Sequence, residues 1–280
     1  MSEILCLNLC EIVNGLFLEK QLETTLDNTL FEVGLNNCER VYIGSYFCSQ
    51  FFLNLKLNHI EEIIYICNKR NMKISLVIPT FSQKDLERGK DKIKILCNYI
   101  GNVIDEITVN DYGMLYYISM TYRVSINLGR LFMKDYRDPR HSVYFHQNYK
   151  PKILSDFLLD LIKSYQVVGL EFDLTHELVD LSGYPKELKV GYHSPYSYMT
   201  MGNICELGSI NKKMNEKFRP NGECNLECMT HSIEYFFDDD RKWYRIGRTI
   251  YFNNEDCNII GFTNLRKIYS PLDKLFSLLG

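Results

Sequence analysis

Apolar positions along the chain fall into two alternating rhythms. Short runs rich in β-branched and aromatic residues occupy 4–9, 40–46, 73–79, 106–110, 123–128, 167–174 and 188–193, and each predicts a strand. Longer stretches between them carry helical spacing. Segment 58–69 places Ile60, Ile63, Ile64 and Cys67 at i, i+3, i+4 and i+7, a stripe that faces a core. Segment 84–99 brings Ile93, Leu96 and Cys97, with Ile100, onto one face, and 152–165 does the same with Leu154, Phe157, Leu158 and Leu161. Segment 16–32 shows mixed apolar spacing and is read as a further helix. Strands alternating with helices predict a parallel sheet with crossover connections. An eighth strand is expected at 244–252, where Ile246, Thr249 and Tyr251 keep a β pattern. Seven or eight such units in 280 residues predict an α/β fold, a TIM-like (β/α) barrel either closed or one unit short. The competing architecture is an open doubly wound sheet. No glycine-rich phosphate turn follows the first strand, which weighs against dinucleotide binding.

The chain contains no internal repeat, low-complexity tract or linker, so residues 1–280 are read as one domain. The pattern changes after 193. Residues 194–240 are long, polar and irregular, punctuated by Pro195, Gly202, Gly208, Pro220 and Gly222, and they carry Cys205, Cys224 and Cys228. Long structureless stretches in compact domains are usually functional or disordered. Three thiols in one stretch point to an ordered, metal-folded loop.

Composition sharpens that reading. Hydrophobic residues make up 46% and charged residues 24%, enough to bury a full core without staples. A net charge of −3 argues against a general nucleic-acid surface, and DNA is not an expected partner. The N-terminus lacks the basic and apolar regions of a signal peptide, and no apolar run approaches the ~20 residues that cross a bilayer. A cytoplasmic protein with no membrane contact is expected. There the ten cysteines stay reduced, so metal binding outranks disulfides. Most of them are expected to be small core residues, Cys67 and Cys97 among them.

Cys224 and Cys228 form a C-x3-C pair, with Cys205 upstream in the same loop. Thiolates select iron–sulfur clusters, zinc or copper. A cubane cluster takes four cysteines, so a fourth must come from elsewhere. In a barrel the loops that follow strands emerge on one face, where active sites sit. Cys48 follows the strand at 40–46 and lies on that face. Cys38 precedes the same strand and belongs at the opposite rim, Cys6 lies inside the first strand, and Cys257 is the reserve ligand. Cys48 is therefore the expected fourth ligand. Zinc is the alternative metal.

These residues resemble a known family. Glu187-Leu188-Lys189-Val190-Gly191-Tyr192-His193-Ser194-Pro195 through Cys205, then Phe218-Arg219-Pro220-Asn221-Gly222-Glu223-Cys224 and Cys228, are similar to the collagenase-like peptidase family, peptidase family U32. Val41-Tyr42-Ile43-Gly44 leading to Cys48-Ser49 resembles the branch used in oxygen-independent ubiquinone synthesis, and Asp173 in Glu171-Phe172-Asp173-Leu174-Thr175 stands where that family carries an acidic residue. The resemblance spans about 41–228. It implies a barrel-like fold, a 4Fe-4S cluster held by four cysteines, and one of two activities. One is peptide cleavage; the other is oxygen-independent hydroxylation of ubiquinone precursors or RNA bases. The peptidase branch has a second cysteine shortly after the position of Cys205, whereas here the chain reads Glu206-Leu207-Gly208-Ser209. That departure favours hydroxylation of an RNA base or a small aromatic or isoprenoid compound. The peptidase is the second reading, and a non-catalytic staple or electron relay within a hetero-oligomer with a second family member is the third.

Three further groups complete the expected site. The loop 129–140 follows the strand at 123–128, and its Arg130, Lys134, Arg137 and Arg140 can hold an anionic substrate or oxygen donor by charge-assisted hydrogen bonds; a solvated loop balanced by Asp135 and Asp138 is the plainer alternative. Glu171 and Asp173 lie two apart on a strand, which puts both on one side of the sheet as a candidate acid and base. Helix capping by Asp173 or Thr175 is the structural alternative. His193 and His141 are candidate proton carriers, each also readable as structural or exposed.

Overall fold

A computed structural model describes residues 4–11, 38–133, 143–144, 155–175, 178–237, 241–255 and 257–272. Eight parallel strands close into a barrel: β1 (Ile4–Asn8), β2 (Arg40–Gly44), β3 (Lys73–Ile78), β4 (Ile104–Val109), β5 (Ser125–Leu128), β6 (Gly169–Asp173), β8 (Lys189–Ser194) and β14 (Arg266–Tyr269). The last strand pairs with the first, Ile4 opposite Arg266. Helices connect the strands on the outside: α1 (Ser49–Leu53) and α2 (Leu57–Lys69) after β2, α3 (Leu86–Ile100) after β3, α4 (Tyr112–Thr121) after β4 and α5 (Asp156–Ser164) before β6. In α2, Ile60, Ile63, Ile66 and Cys67 are buried against the barrel, and in α3 Ile93, Leu96 and Ile100 are. Capping follows simple chemistry: Asp111 accepts from the Met114 amide at 2.7 Å and Ser155 from the Leu158 amide at 3.2 Å.

The eighth barrel strand is not the one expected. It lies at Arg266–Tyr269, and the run 244–252 is broken into an antiparallel hairpin of β11 (Trp243–Ile246) and β12 (Thr249–Asn253). Gly247, at φ +57°, turns the chain there, as a two-residue hairpin requires. A glycine inside a strand-like run was the available signal. The hairpin joins β9 (Tyr196–Met201) and β10 (Ile233–Tyr235) in a four-stranded sheet ordered β10-β11-β12-β9. The stretch 194–240 is thus less irregular than its composition implies. Tyr196 and Tyr198 alternate inward and are buried, which drives β9 to extend directly from β8. A small parallel pair, β7 (Leu178–Asp180) with β13 (Asn258–Ile260), completes the sheets. The helix expected at 16–32 lies outside the described residues.

The barrel interior is unusually polar, where such barrels are commonly filled by branched aliphatics. Near the strand N-termini, Arg40 donates to Ser75 at 3.0 Å, Ser75 to Glu106 at 2.8 Å and Arg266 to Glu106 at 2.8 Å. Burial alone would raise the Glu106 carboxyl, but Arg266 and Arg40 outweigh it and hold it below its ordinary value. Higher in the barrel sit Thr108, Glu171 and His193, all buried. A polar interior of this kind needs every strand in register, because a one-residue slip turns these groups outward.

Candidate metal centre

Cys48, Cys205, Cys224 and Cys228 line one cavity at the C-terminal end of the barrel, a space of about 500 Å³ including its opening to solvent. Two distant segments meet there. Cys48 sits between the end of β2 and the start of α1, while the other three belong to the insertion after β8. Local structure prepares three of the sulfurs in the same manner. Cys205 precedes a tight 3-10 turn at Leu207–Ser209, and the Gly208 amide donates to its Sγ at 3.3 Å. The Phe51 amide reaches Cys48 and the Leu226 amide reaches Cys224, each favouring the thiolate. Leu226 adopts φ +60°, which directs the chain into the turn Glu227–Met229 that carries Cys228. A side chain at Gly208 would put its Cβ 3.0 Å from that of Cys224 and 3.5 Å from Cys205 Sγ, so a larger residue there requires the Cys224 segment to give by a few tenths of an ångström. From the other side, the hairpin turn at Gly247 lines the same cavity, and a Cβ added there would lie 3.9 Å from Cys228 Sγ.

Burial holds all four cysteines of the cavity above the ordinary thiol value, so a bound cation is what would keep them as thiolates. Burial pushes the Cys48 thiol up to about 11, with Arg248 acting against that rise. Burial also raises Cys205, Cys224 and Cys228, and Cys228 feels all three of the other sulfurs. Four anionic sulfurs this close need compensating positive charge, which a bound metal provides. Arg248 lines the cavity and is buried; its Nε donates to the Phe47 carbonyl at 2.9 Å and its Nη1 to Asn221 Oδ1 at 3.2 Å. It thereby ties the segment beside Cys48 to the segment beside Cys224. Among the described residues no carboxylate pairs with it, and its charge acts on Cys48 and Cys205 against the rise that burial causes. Among the described residues, no group of three or more His, Cys, Asp or Glu side chains is arranged so as to hold a metal ion.

The remaining cysteines lie elsewhere. Cys38 precedes β2, its thiol reaching the Arg40 carbonyl at 3.2 Å, and its electrostatic neighbours are Cys6 and Cys67. Cys67 is fully buried, and Cys97 is half-buried against the core. Cys257 follows β12 and does not line the cavity.

Glu171 and Asp173 both lie inside the barrel, with different partners. Glu171 accepts from Tyr46 at 2.7 Å and from Thr108 at 2.7 Å, and His193 Nε2 stands 3.3 Å away. Burial lifts its carboxyl to about 7, against the pull of Thr108 and Tyr46. Asp173 pairs with Arg130, whose Nε lies 3.1 Å from each carboxylate oxygen, and it accepts the Tyr198 amide at 3.1 Å. Arg130 is buried, and its guanidinium sits 5.4–5.9 Å from the ring centroids of Tyr46, Phe47, Tyr198 and Tyr251. Its charge is therefore engaged within the fold. Lys134, Arg137, Arg140 and His141 lie outside the described residues. Asp173 serves as a counter-ion, not as the cap of a helix among the described residues, and Thr175 is buried in the connection toward β7.

Sequence reasoning missed Arg248 and Tyr46. For Tyr46 the signal was partial: it lies in step with Arg40, Tyr42 and Gly44, two residues beyond the end of β2. Arg248 had none, because its role depends on a hairpin folding back over the β2 loop.

Glu171 makes a measurable contribution to stability. A carboxylate whose folded value is raised binds its proton more tightly folded than unfolded, so its contribution is fully favourable below the unfolded value of 4.5 and declines as pH rises to about 7. A shift of this size corresponds to roughly 3 kcal/mol. Glu171→Gln is insensitive to that window. Its stability relative to the wild type, from urea unfolding, should improve by about 2–3 kcal/mol between pH 4.5 and pH 8; an unchanged difference would remove Glu171 as a raised-value acid.

Among the described residues no helix is long and apolar enough to cross a membrane. Comparison with protein-family models, curated proteins and solved structures finds no match to this chain.

Proposed function

We propose that the chain is an iron–sulfur protein whose four-cysteine cavity holds a 4Fe-4S cluster, and that it serves oxygen-independent hydroxylation of an RNA base or a small aromatic or isoprenoid compound, alone or as one subunit. The observation that carries this reading is the convergence of Cys48 with Cys205, Cys224 and Cys228 from two distant segments on one cation-lined cavity. The donor set fits the group: soft thiols, amides directed at three of the sulfurs, and a buried guanidinium whose charge acts on Cys48 and Cys205. When bound, such a cluster supplies one-electron chemistry.

The chain's own residues provide the rest. Tyr46 and Phe47 immediately precede Cys48, so the wall of the barrel mouth and the metal cavity are one continuous segment. Glu171 holds a proton near neutral pH and, with His193 beside it, can exchange one there. Arg130 and its four aromatic neighbours shape the mouth above Glu171. The resemblance to the hydroxylating branch of the collagenase-like peptidase family supports the assignment of reaction class, and the charges of Lys134, Arg137 and Arg140 in the sequence support an anionic substrate or oxygen donor.

Anaerobic purification tests the reading. A brown protein with about four iron and four sulfide per chain is expected. A colourless protein that carries zinc would sink it.

A further inference from the structure

Behind the cysteine cavity lies a second, larger concavity of about 900 Å³ including its opening to solvent, lined by Leu207, Ile210, Phe218 and Ile233, with Lys217 and His231 beside them. The two concavities share Ser209 as a common wall. Ser209 Oγ accepts from the Phe218 amide at 3.0 Å and donates to the Cys205 carbonyl at 3.0 Å, so the groove is hydrogen-bonded to the segment that carries a proposed ligand. Around it, apolar side chains stand in solvent: Ile210 is 43%, Phe218 53% and Met214 82% exposed. Phe218 adopts φ +56°, a conformation that a bulky residue seldom adopts.

Lys217 and Glu206 are the charged side chains that line the groove itself, and Lys212 and Arg219 line the cysteine cavity next to it. Residues 210–219 carry Lys212, Lys213, Lys217 and Arg219 against Glu216 alone, four minus one, a local charge of +3 in a chain of net −3. Glu206, at the groove edge, is neutralised by Arg245 at 2.6 Å. An apolar floor with a charged rim is the anatomy of a protein–protein contact. A nucleic-acid strand would instead be stacked on successive aromatic rings, and the groove offers Phe218 alone beside aliphatic residues.

We infer that this groove docks an acidic one-electron carrier protein, which delivers electrons through the Ser209 wall to the centre held by the four cysteines. The inference rests on the iron–sulfur reading. In each encounter the reduced carrier loses one electron and the centre gains it; no bond forms or breaks. A small interface suits such a transient redox partner, and opposite charges raise its association rate.

The test uses a reduced plant-type ferredoxin as the acidic probe, mixed anaerobically with the iron-loaded, oxidised protein in a stopped-flow instrument. Lys213→Glu combined with Lys217→Glu should slow the second-order electron transfer about tenfold at low salt, with iron content unchanged, and the two rates should converge near 1 M salt, where screening is complete within ~3 Å. Ile210→Asp should slow it at every salt concentration. Equal rates for wild type and charge-reversed protein at low salt overturn the proposal. So does a single-stranded RNA whose binding the same reversal abolishes while the ferredoxin rate is untouched, or a self-dimer that the reversal dissolves. An iron-free preparation sinks the metal reading itself, whereas an iron-loaded protein that ferredoxin cannot reduce overturns the docking alone.

Discussion

Asp173→Ala is expected to lower the free energy of unfolding by about 3–5 kcal/mol, the cost of leaving a buried guanidinium without its counter-ion. Arg130 and Asp173 are both buried, and Arg130 has four aromatic rings close around it in place of water. Ring quadrupoles compensate part of its charge, ~2 kcal/mol or more for a desolvated contact, short of the idealised cost of desolvating an ion, of order ~20 kcal/mol. The carboxylate also accepts the Tyr198 amide, so its removal strands a second donor and loosens the attachment of β9 to the barrel. Removing both charges together should cost less than removing one. Arg130→Met combined with Asp173→Leu should recover a large part of the loss, since a buried pair is often replaceable by apolar residues of similar volume. Urea unfolding of the two single variants and the double variant measures the coupling. A loss below ~1 kcal/mol for Asp173→Ala would mean that water reaches Arg130.

Cys48→Ala should strip most of the iron from anaerobically reconstituted protein, and Cys38→Ala should leave it in place. The contrast is strong because the two residues flank the same strand. Cys48 follows β2 and lines the cavity with Cys205, Cys224 and Cys228, while Cys38 precedes β2 near Cys6 and Cys67. Loss of a thiolate leaves one iron of a cubane without protein ligation, which commonly lowers occupancy well below one cluster per chain. The measurement is iron per chain together with the cluster absorbance. Iron lost from Cys38→Ala and kept in Cys48→Ala would place the centre at the opposite end of the barrel. A Cys48→Ala protein that unfolds, with no change in any redox property of the residual folded fraction, would favour a stapling role.

Much of the scaffold was legible in the primary structure because it rests on local periodicity. Seven of the eight barrel strands are marked by β-rich apolar runs, and the stripes of α2 and α3 follow helical spacing. Parallel topology then assigns a face to every loop, which separates Cys48 from Cys38. The eighth strand escaped. Residues 266–269 form a short segment, Arg-Lys-Ile-Tyr, with a single aliphatic residue, and their strand state comes from pairing with β1 and β8, not from their own propensity.

The four cysteines sharpen the same division. Their chemistry, their order and the sidedness of Cys48 are properties that the amino-acid sequence determines by itself, since strand direction fixes which loops share a face. That the four line one cavity was decided by the tertiary structure. Gly208 stands at a close approach there, and the hairpin at Gly247 lines the same cavity, which brings Arg248 into the cavity wall. The pairing of Arg130 with Asp173 was decided there too, because 43 residues separate the two and only barrel closure with a buried, low-dielectric interior makes them each other's counter-ion.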